Sequence, residues 1–299
     1  INLSKEFNQV HICDYEHLIS IHGRKNWFDE KMWFHAKAPL SLLGLRELSS
    51  YYLNFIKVFL GFTKKCLVLD LDNTLWGGVL GEEGVEGITL GHTPLGNAFV
   101  KFQKNLLNIY KKGFILAINS KNNKENVMEV FDKHPDMILK PNNFAVMKIN
   151  WQNKAQNMLE IAQELNIGID SLVFFDDNPA EIDLINQKLP EVKTVHLSGS
   201  PIFFSRILGE LDCFERLKYT KEDMSRGQMY TAQIKRSNLE KTSIDIQGFY
   251  KSLEMKAIIK QNDKFSISRL STMTQKTNQF NLTTKRYSEN EIKQFIESK

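Results

Sequence analysis

The residues with the clearest chemical potential are two aspartates at the end of an apolar run. Cys66–Leu69 is apolar and of strand length, and Asp70 and Asp72 follow it, separated by Leu71. A continuous apolar run is typical of a buried parallel strand, and ligands of open α/β sheets bind just beyond the carboxyl ends of such strands. Two carboxylates at that edge repel each other and lose solvation, so the pair predicts a bound cation.

Three more polar features follow apolar stretches further along the chain. Ser120 follows the second stretch, Lys154 comes shortly after the third, and Asp176 and Asp177 end the fourth. Phosphoryl transfer needs a nucleophile, positive charge near the transferring oxygens and a proton donor for the leaving oxygen. A Mg²⁺ ion bound through protein oxygens offsets the repulsion between a carboxylate nucleophile and a phosphate dianion. A hydroxyl and an ammonium can hold the remaining phosphate oxygens, so the combination favours Mg²⁺-dependent phosphoryl transfer.

Each feature taken alone also has a structural explanation. An Asp-x-Asp sequence is common in turns and calcium-like loops, and a serine after a strand, such as Ser120, is usually a helix cap. Lys154 could be a solvated helix lysine, and Asp176-Asp177 could mark a helix N-terminus favoured by its dipole. Catalysis is favoured by the joint occurrence of these residues, in order, each at the end of a predicted strand.

The spacing of apolar residues predicts five strands that alternate with helices. After Cys66–Leu69, the predicted strands are Phe114–Ile118, Phe144–Ile149, Ser171–Phe175 and Val192–Leu197. Such alternation is typical of a mostly parallel sheet with helices on both faces. The predicted fold class is therefore α/β.

Local signals predict three features between these strands. The glycine-rich segment Trp76–Gly91 predicts a tight loop or a small hairpin over the end of the first strand. Asn150 is the predicted cap of the helix after the third strand, whose apolar face would include Trp151 and Leu159. Asn178-Pro179 predicts the start of the helix after the fourth strand.

Segments of different character flank the predicted core. Before residue 63, apolar residues at spacings of three and four predict an amphipathic helix, and they are Leu45, Leu48, Tyr52, Phe55 and Phe59. After residue 200, helical patterns dominate as far as Leu253, and Met255–Ile259 predicts a strand. The predicted divisions are an N-terminal segment at 1–62, a core at 63–200 and a mostly helical region at 201–299.

Composition and charge exclude several classes of protein. The 299 residues are 42% hydrophobic and 25% charged, with a net charge of +4, which is ordinary for a soluble globular chain. No apolar run reaches the roughly 18 residues of a membrane span, and no aromatic-interleaved surface indicates nucleic-acid binding. Three widely spaced cysteines without a CxxC motif predict reduced thiols and a cytoplasmic location. The sequence contains no recognisable signal peptide. Because it begins with Ile1 and not with Met, it leaves open whether a targeting segment precedes this residue.

Several strings of this sequence resemble a known superfamily. DLDNT at Asp70–Thr74 resembles the first motif of the haloacid dehalogenase (HAD) superfamily of Mg²⁺-dependent phosphotransferases. The longer string LDLDNTLWGGVLGEEGVEGITLG, from Leu69, is similar to one branch, the FkbH-like proteins of class IIIC. KTNQFN from Lys276 is an equally distinctive signature of that branch. Further similar strings begin at Trp27, Ile118 and Asn150, so the resemblance covers nearly the whole chain.

The resemblance implies a role for each polar residue at the strand ends. Asp70 matches the nucleophile that forms an aspartyl-phosphate, and Asp72 matches the acid/base that protonates the leaving group and then activates water. Ser120 matches the hydroxyl that holds a phosphate oxygen. Lys154 is the better match to the lysine of the third motif, with Lys148 as the second candidate.

The resemblance also implies a metal site and contacts with the substrate. Mg²⁺ would be held by the Asp70 carboxylate, the Asp72 main-chain carbonyl and Asp177, with the neighbouring Asp176 as the alternative to Asp177. Leu71, Asn119, Asn122 and Lys148 are the predicted contacts with phosphate or substrate.

The implied fold is a HAD-like Rossmannoid sheet without a large cap domain. Neither the stretch from Asp70 to Ser120 nor that from Ser120 to Lys154 has room for such a cap. The site should therefore be open, or covered by the flanking segments or by another subunit of a homo-oligomer. An open site suits a phosphorylated small molecule or a carrier-protein partner.

Two other functions stay open at this stage. FkbH-like proteins are associated with dephosphorylating a glyceryl phosphate donor and moving the glyceryl group onto an acyl-carrier protein, which requires a thiol. Cys213, outside the core, is one candidate thiol. Longer members of the branch continue into an acetyltransferase-like domain, whose start residues 201–299 would contain. The third hypothesis is a phosphate-binding module without activity, against which the full set of catalytic groups argues.

Overall fold

Within the described part of the chain, five parallel strands form one sheet. The computed structural model describes residues 10–214, 227, 229–230, 232–234, 256, 258–259, 261, 263, 266–276 and 285–298. The chain divides into two compact units, Ile1–Leu239 and Glu240–Lys299. The divisions expected at residues 62 and 200 stay predictions.

The elements of the first unit alternate between strands and helices from residue 66 onward. The strands are β1 (Cys66–Leu69), β2 (Ile115–Ser120), β3 (Phe144–Ile149), β4 (Leu172–Asp176) and β5 (Lys193–His196). The helices before the sheet are α1 (Tyr15–His22), α2 (Arg24–Trp27), α3 (Glu30–Ala36) and α4 (Leu42–Phe59). The helices between and after the strands are α5 (Leu80–Gly87), α6 (Pro94–Lys111), α7 (Lys124–Lys133), α8 (Lys154–Leu165), α9 (Pro179–Lys188) and α10 (Phe204–Gly209).

The strand order brings the ends of three strands to one edge of the sheet. The order is β3-β2-β1-β4-β5, and each pair of neighbours is parallel. Leu69, the last residue of β1, pairs with Ile118 of β2 on one side and with Phe175 of β4 on the other. The predicted α/β class with a parallel sheet is confirmed. Residues that follow β1, β2 and β4 therefore gather at the carboxyl edge.

Helices cover both faces of the sheet, as predicted. Successive strand residues point to opposite faces, so Leu67 and Leu69 join one apolar cluster while Cys66 and Val68 join the other. Apolar residues of α6 belong to the first cluster and those of α8 to the second. Complete burial of a side chain such as Phe102 of α6 contributes about 1.5–3 kcal/mol. These two layers fix where the helices begin relative to the strand ends.

The glycine-rich segment after β1 corrects the expectation of a simple loop or hairpin. Gly77 and Thr89 do pair in the antiparallel sense, with backbone hydrogen bonds of 3.0 and 2.8 Å. Between them, however, the chain forms α5, which contains Gly84 at φ +69° and is kinked there. Because glycine is a poor helix former, the glycines of this helix concealed it in the sequence.

The start of α8 corrects the predicted helix cap. Asn153, not Asn150, caps the helix, since its Oδ1 accepts a hydrogen bond of 2.8 Å from Ala155 N. Trp151 therefore precedes the helix and is 71% exposed instead of lying on its apolar face. Trp151 has the spacing expected of the first apolar residue of the helix, so the sequence pattern placed the start of the helix too early.

Helix α4 confirms the helix predicted in the N-terminal segment, but not the burial of its apolar face. It packs closely on Trp27, because a Cβ added at Gly44 would lie 2.6 Å from Trp27 O. Yet Leu45, Tyr52 and Phe59 of the predicted apolar stripe are 48%, 50% and 69% exposed in the structure. The sequence pattern thus predicted the helix but not the exposure of its stripe.

In the second unit the described residues form helices α11 (Ile267–Lys276) and α12 (Glu289–Glu297). Ser271 Oγ donates a hydrogen bond of 2.8 Å to Tyr287 O, which links α11 to the segment before α12. Of the predicted strand Met255–Ile259, the described residues Lys256, Ile258 and Ile259 belong to no strand, and the KTNQFN signature lies outside the described residues after Lys276. None of the helices in the described part of the chain has the length and apolar composition needed to cross a bilayer.

Candidate active site

Asp70 occupies the centre of the carboxyl edge. Its backbone N donates to Phe175 O at 3.0 Å, which extends the pairing of β1 with β4 by one residue. Its side chain is buried, and Lys154 Nζ lies 3.0 Å from Asp70 Oδ1 and 2.6 Å from Asp176 Oδ2. Lys154 is the first residue of α8, so the packing of that helix brings a buried ammonium between two buried carboxylates.

Three carboxylates meet at this point. Asp70, Asp176 and Asp177 each offer an oxygen, and these oxygens lie within 4.8 Å of one another. Within the described residues, Asp70 Oδ1 is buried and has no well-aligned hydrogen-bond donor besides its ion pair with Lys154. One lysine against three carboxylates leaves surplus negative charge, and carboxylate oxygens are the donors that Mg²⁺ prefers. The residues present therefore fit a divalent cation.

Asp176 and Asp177 differ in how their oxygens are used. Asp176 accepts from Lys154 Nζ through Oδ2 and from Asn178 N at 2.9 Å through Oδ1. Burial and the nearby Asp70 raise the pKa of Asp176 to about 7, although Lys154 opposes this rise. Burial and Asp70 also raise the pKa of Asp177, against the effect of a hydrogen bond from Asn73. Asp176 is thus committed to Lys154, and Asp177 is the better placed of the two for a cation.

Asp72 lies in a different environment, surrounded by neutral donors. Its Oδ1 accepts from Trp76 Nε1 at 2.9 Å and from Leu80 N at 3.2 Å, and its Oδ2 accepts from Asn122 Nδ2 at 3.0 Å. Burial raises the pKa of Asp72, as do Asp70 and Asp177, while hydrogen bonds from Leu80 and Trp76 work in the opposite direction. This carboxyl group is held in a fixed orientation and binds a proton more readily than an exposed aspartate does.

Ser120 ends β2 at the same edge of the sheet. It lies two residues beyond Ile118, the pairing partner of Leu69, and it is buried. The cap of the following helix α7 is Asn123, so Ser120 does not have the capping position that the structural explanation assigned to it. Leu71 is buried, and its carbonyl oxygen accepts from Thr74 N and Leu75 N in the turn after β1.

The predicted substrate contacts Asn119 and Asn122 are both bonded within the protein. Asn119 Nδ2 donates to Lys154 O at 2.9 Å, and its Oδ1 accepts from Asn157 Nδ2 at 3.0 Å. Asn119 therefore fixes the start of α8, and Asn122 orients Asp72. Sequence reasoning missed Asn157; the signal that could have found it is an amide among the apolar residues of the buried face of α8, one turn after Lys154.

The second candidate lysine, Lys148, is not brought to the cluster. Its Nζ lies 2.5 Å from Glu160 Oε2 and 2.7 Å from Glu164 Oε1, both on α8. Of the two lysines that the sequence left open, Lys154 is the one that contacts Asp70.

Two further polar features of the edge were not singled out in the sequence. Lys121, directly after β2, forms an ion pair of 2.5 Å with Glu181 in the first turn of α9, and Glu181 Oε2 is buried without a hydrogen bond in the described structure. Asn73 has a left-handed backbone at φ +53°, and its Oδ1 accepts from Gly78 N at 2.9 Å. Asparagine tolerates this conformation better than most residues, which is the signal that could have found it.

Comparison with known proteins agrees with this architecture. Neither protein-family models nor curated protein sequences match the chain, but solved structures do. One is the crystal structure of the N-terminal part of the protein BF1531 from Bacteroides fragilis, which contains a phosphatase domain and is complexed with Mg. The TM-score is 0.69 and the sequence identity 38%, covering 73% of this chain and 58% of the crystallised chain. The chain thus spans little more than half of that protein part, and it is similar in sequence and fold to a structure that contains a phosphatase domain.

Proposed function

We propose that this chain is a Mg²⁺-dependent phosphatase of the HAD type that forms an aspartyl-phosphate on Asp70. The observation that carries the proposal is the contact of Lys154 Nζ with Asp70 Oδ1 at 3.0 Å, inside a cluster of three carboxylates. The similarity to a structure that contains a phosphatase domain and Mg supports the same activity. The substrate would be a phosphorylated small molecule.

In the first step, a carboxylate oxygen of Asp70 attacks phosphorus, and the bond between phosphorus and the leaving oxygen breaks. Lys154 holds the attacking carboxylate in position. Burial lowers the pKa of Lys154, but Asp70 and Asp176 more than offset this and keep the pKa above its usual value. The lysine therefore stays positively charged beside the developing phosphoryl charge.

Asp72 is the proton donor and acceptor in this proposal. It gives its proton to the leaving oxygen in the first step and takes one from water as that water attacks the aspartyl-phosphate in the second. The second step returns the bonding electrons to Asp70 and releases inorganic phosphate. The raised pKa of Asp72 suits a group that must carry a proton in one step and lose it in the next.

Asp70 and Asp177 are the carboxylates that would hold Mg²⁺, since both oxygens of Asp176 already accept hydrogen bonds. When bound, the ion neutralises charge on the phosphoryl oxygens. Ser120, buried at the end of β2, is the hydroxyl proposed to hold one phosphate oxygen.

The proposal is tested by measuring phosphate release from acetyl phosphate and phenyl phosphate by the wild type and by Asp70→Asn. The substitution should reduce Mg²⁺-dependent release by a factor on the order of 10⁴ or more, as removal of a nucleophile does. Asp183→Asn, at an exposed position of α9, is the matched control and should behave like the wild type. Substantial turnover by folded Asp70→Asn would contradict the proposal.

The transferase alternative gains no support from Cys66 or from the candidate thiol Cys213. Cys66 and Cys213 are buried, and burial raises the pKa of the Cys66 thiol, which makes it a poor nucleophile. With these two thiols buried, the thiol supplied by an acyl-carrier protein is the simplest acceptor for glyceryl transfer. Acylation of an acyl-carrier protein added to this assay, dependent on Asp70, would favour that alternative over simple hydrolysis.

A further inference from the structure

A cavity of about 360 Å³ adjoins the carboxylate cluster on the side of β5. Asp177 lines this cavity and also belongs to the cluster, and Asn73, which bonds to Asp177, lies at the same wall. A substrate whose phosphoryl group lies at Asp70 would therefore have the cavity next to its phosphorus. The volume lies at the small end of the range of about 300–1,000 Å³ found for ligand pockets.

The lining of the cavity combines an apolar floor with a polar rim. Phe99, Leu197 and Phe204 are buried and form the floor. Ser198 and His196 are exposed at the rim, and His196 Nε2 lies 2.9 Å from Asp177 O. An apolar surface with a few converging polar groups is the usual construction of a small-molecule site.

The charge of the lining limits what the cavity can hold. None of the described residues that line it is a lysine or an arginine, and its carboxylate is Asp177. A second anionic group on the substrate would lose solvation there and would be repelled, because the three carboxylates of the cluster and the phosphoryl group together carry more charge than Lys154 and one Mg²⁺ would offset. A neutral group with an apolar surface and a hydroxyl would instead bury that surface on the floor and bond to the rim.

We propose that this cavity binds the leaving group of the phosphate ester and selects neutral, partly apolar alcohols over anionic ones. The inference rests on the proposed phosphatase activity and adds a substrate class to it. Ser198, which neither touches the cluster nor takes part in the chemistry, becomes a determinant of specificity.

The test compares kcat/KM for three donors: acetyl phosphate, phenyl phosphate and 4-carboxyphenyl phosphate. The wild type should prefer phenyl phosphate to its carboxylated counterpart by about tenfold or more, in line with pocket discrimination elsewhere. Ser198→Phe, which places a ring in the cavity mouth, should lower the ratio of phenyl phosphate to acetyl phosphate kcat/KM by about tenfold. Ser50→Phe adds the same ring at an exposed position of α4 and should keep the wild-type ratio.

The outcomes separate this inference from the function on which it rests. If none of the three donors is turned over in a way that requires Mg²⁺ and Asp70, both the proposed function and the cavity assignment are overturned. Turnover of acetyl phosphate with equal ratios in Ser198→Phe and Ser50→Phe would overturn the cavity assignment alone. Should Ser198→Phe fail to fold, the wild-type preference decides by itself, because equal rates on the neutral and carboxylated aryl phosphates would contradict the proposal.

Discussion

Asp70 and Asp72 are two residues apart, yet they lie in two different polar environments. Asp70 meets an ammonium, that of Lys154, and shares its surroundings with Asp176 and Asp177. Asp72 meets neutral donors from Trp76, Leu80 and Asn122 instead. Around Asp70, the negative charges of three carboxylates must be balanced by Lys154 and a cation. Around Asp72, hydrogen bonds from neutral groups fix the orientation of a single carboxyl group.

This difference assigns separate tasks to two chemically identical side chains. Pairs of carboxyl groups whose environments differ are a recurring solution for placing a nucleophile or base beside an acid. On the Asp70 side, charge balance governs both stability and cation binding. On the Asp72 side, hydrogen-bond geometry and burial govern protonation. Variants of the groups that bond to Asp72 should therefore leave cation binding intact, whereas variants of Asp70 or Asp177 also reach the pKa of Asp72 through their charge.

The largest effect is expected from Lys154→Met. It leaves Asp70 and Asp176 without their ammonium, and breaking such a buried pair costs about 3–5 kcal/mol of unfolding free energy. Phosphate release should fall by about 100-fold or more, because a group that stabilises transition-state charge is lost. Chemical denaturation and steady-state kinetics measure the two effects.

Lys148→Met provides the control for that variant, since its ammonium pairs with Glu160 and Glu164 at a more exposed site. Its cost should be about 1 kcal/mol or less, the range of partly exposed ion pairs. Equal losses in the two lysine variants would remove the distinction between a charge-balanced cluster and an ordinary ion pair.

Asp72→Asn should remove the proton donor and acceptor and leave Mg²⁺ binding intact. With acetyl phosphate the first step needs little help from an acid, whereas hydrolysis of the aspartyl-phosphate lacks its base. Turnover should fall by about 10²–10⁴-fold, and phosphorylated protein should accumulate in single-turnover mass spectrometry. Mg²⁺ affinity close to that of the wild type is expected, and loss of that affinity would show that the two sides are not separable.

The cation should stabilise the protein more at high pH than at low pH. Because the folded pKa of Asp176 is raised to about 7 and that of Asp177 is raised too, the metal-free folded chain binds more protons than the unfolded chain. Its stability therefore falls as pH rises from about 4 through about 7. Mg²⁺ competes with those protons, so its effect on Tm should grow over the same range.

Mg²⁺ at about 100 times its Kd should raise the free energy of unfolding by about 2.7 kcal/mol. Thermal unfolding at about pH 5.5 and about pH 8, with and without Mg²⁺, measures it. Asp177→Asn should lose most of the gain, while Asp183→Asn should retain it. If the stabilisation by Mg²⁺ decreased as the pH rises, the proposal that carboxylates with raised pKa values bind the ion would be contradicted.

The smallest effect on activity is expected from Trp76→Phe, which removes one donor to Asp72. Loss of the hydrogen bond should cost about 1 kcal/mol of stability, and the smaller ring at this fully buried position adds the cost of the cavity that it leaves. The pKa of Asp72 should rise, because a hydrogen bond that favours its ionised form is gone. The pH at which dephosphorylation reaches half of its maximal rate should therefore move upward. An unchanged pH profile with normal folding would show that this hydrogen bond does not tune Asp72.

Strand-level features could be predicted because they are local. Continuous apolar runs marked β1 to β5 to within a residue or two, and parallel pairing then placed Asp70, Ser120 and Asp176 at one edge. The cap of α8 and the helix α5 were mistaken because local signals conflicted. Trp151 imitated a buried helix residue, and the glycines of α5 argued against a helix that packing nevertheless stabilises.

The sequence by itself determined the order of the strands along the chain and the presence of carboxylates, a hydroxyl and a lysine after them. Periodicity and residue type are enough for that, since both depend on neighbours in the chain. Only the tertiary structure decided which lysine meets Asp70, which aspartate is committed to Lys154, and that neutral donors surround Asp72. The contacts of Lys154 with Asp70 and Asp176, and that of Asn122 with Asp72, join residues far apart in sequence, so they follow from how helices pack on the sheet. Trp76 and Leu80 are close to Asp72 in sequence, but the kinked turn and helix after β1, which no local pattern predicted, bring their N–H groups to it.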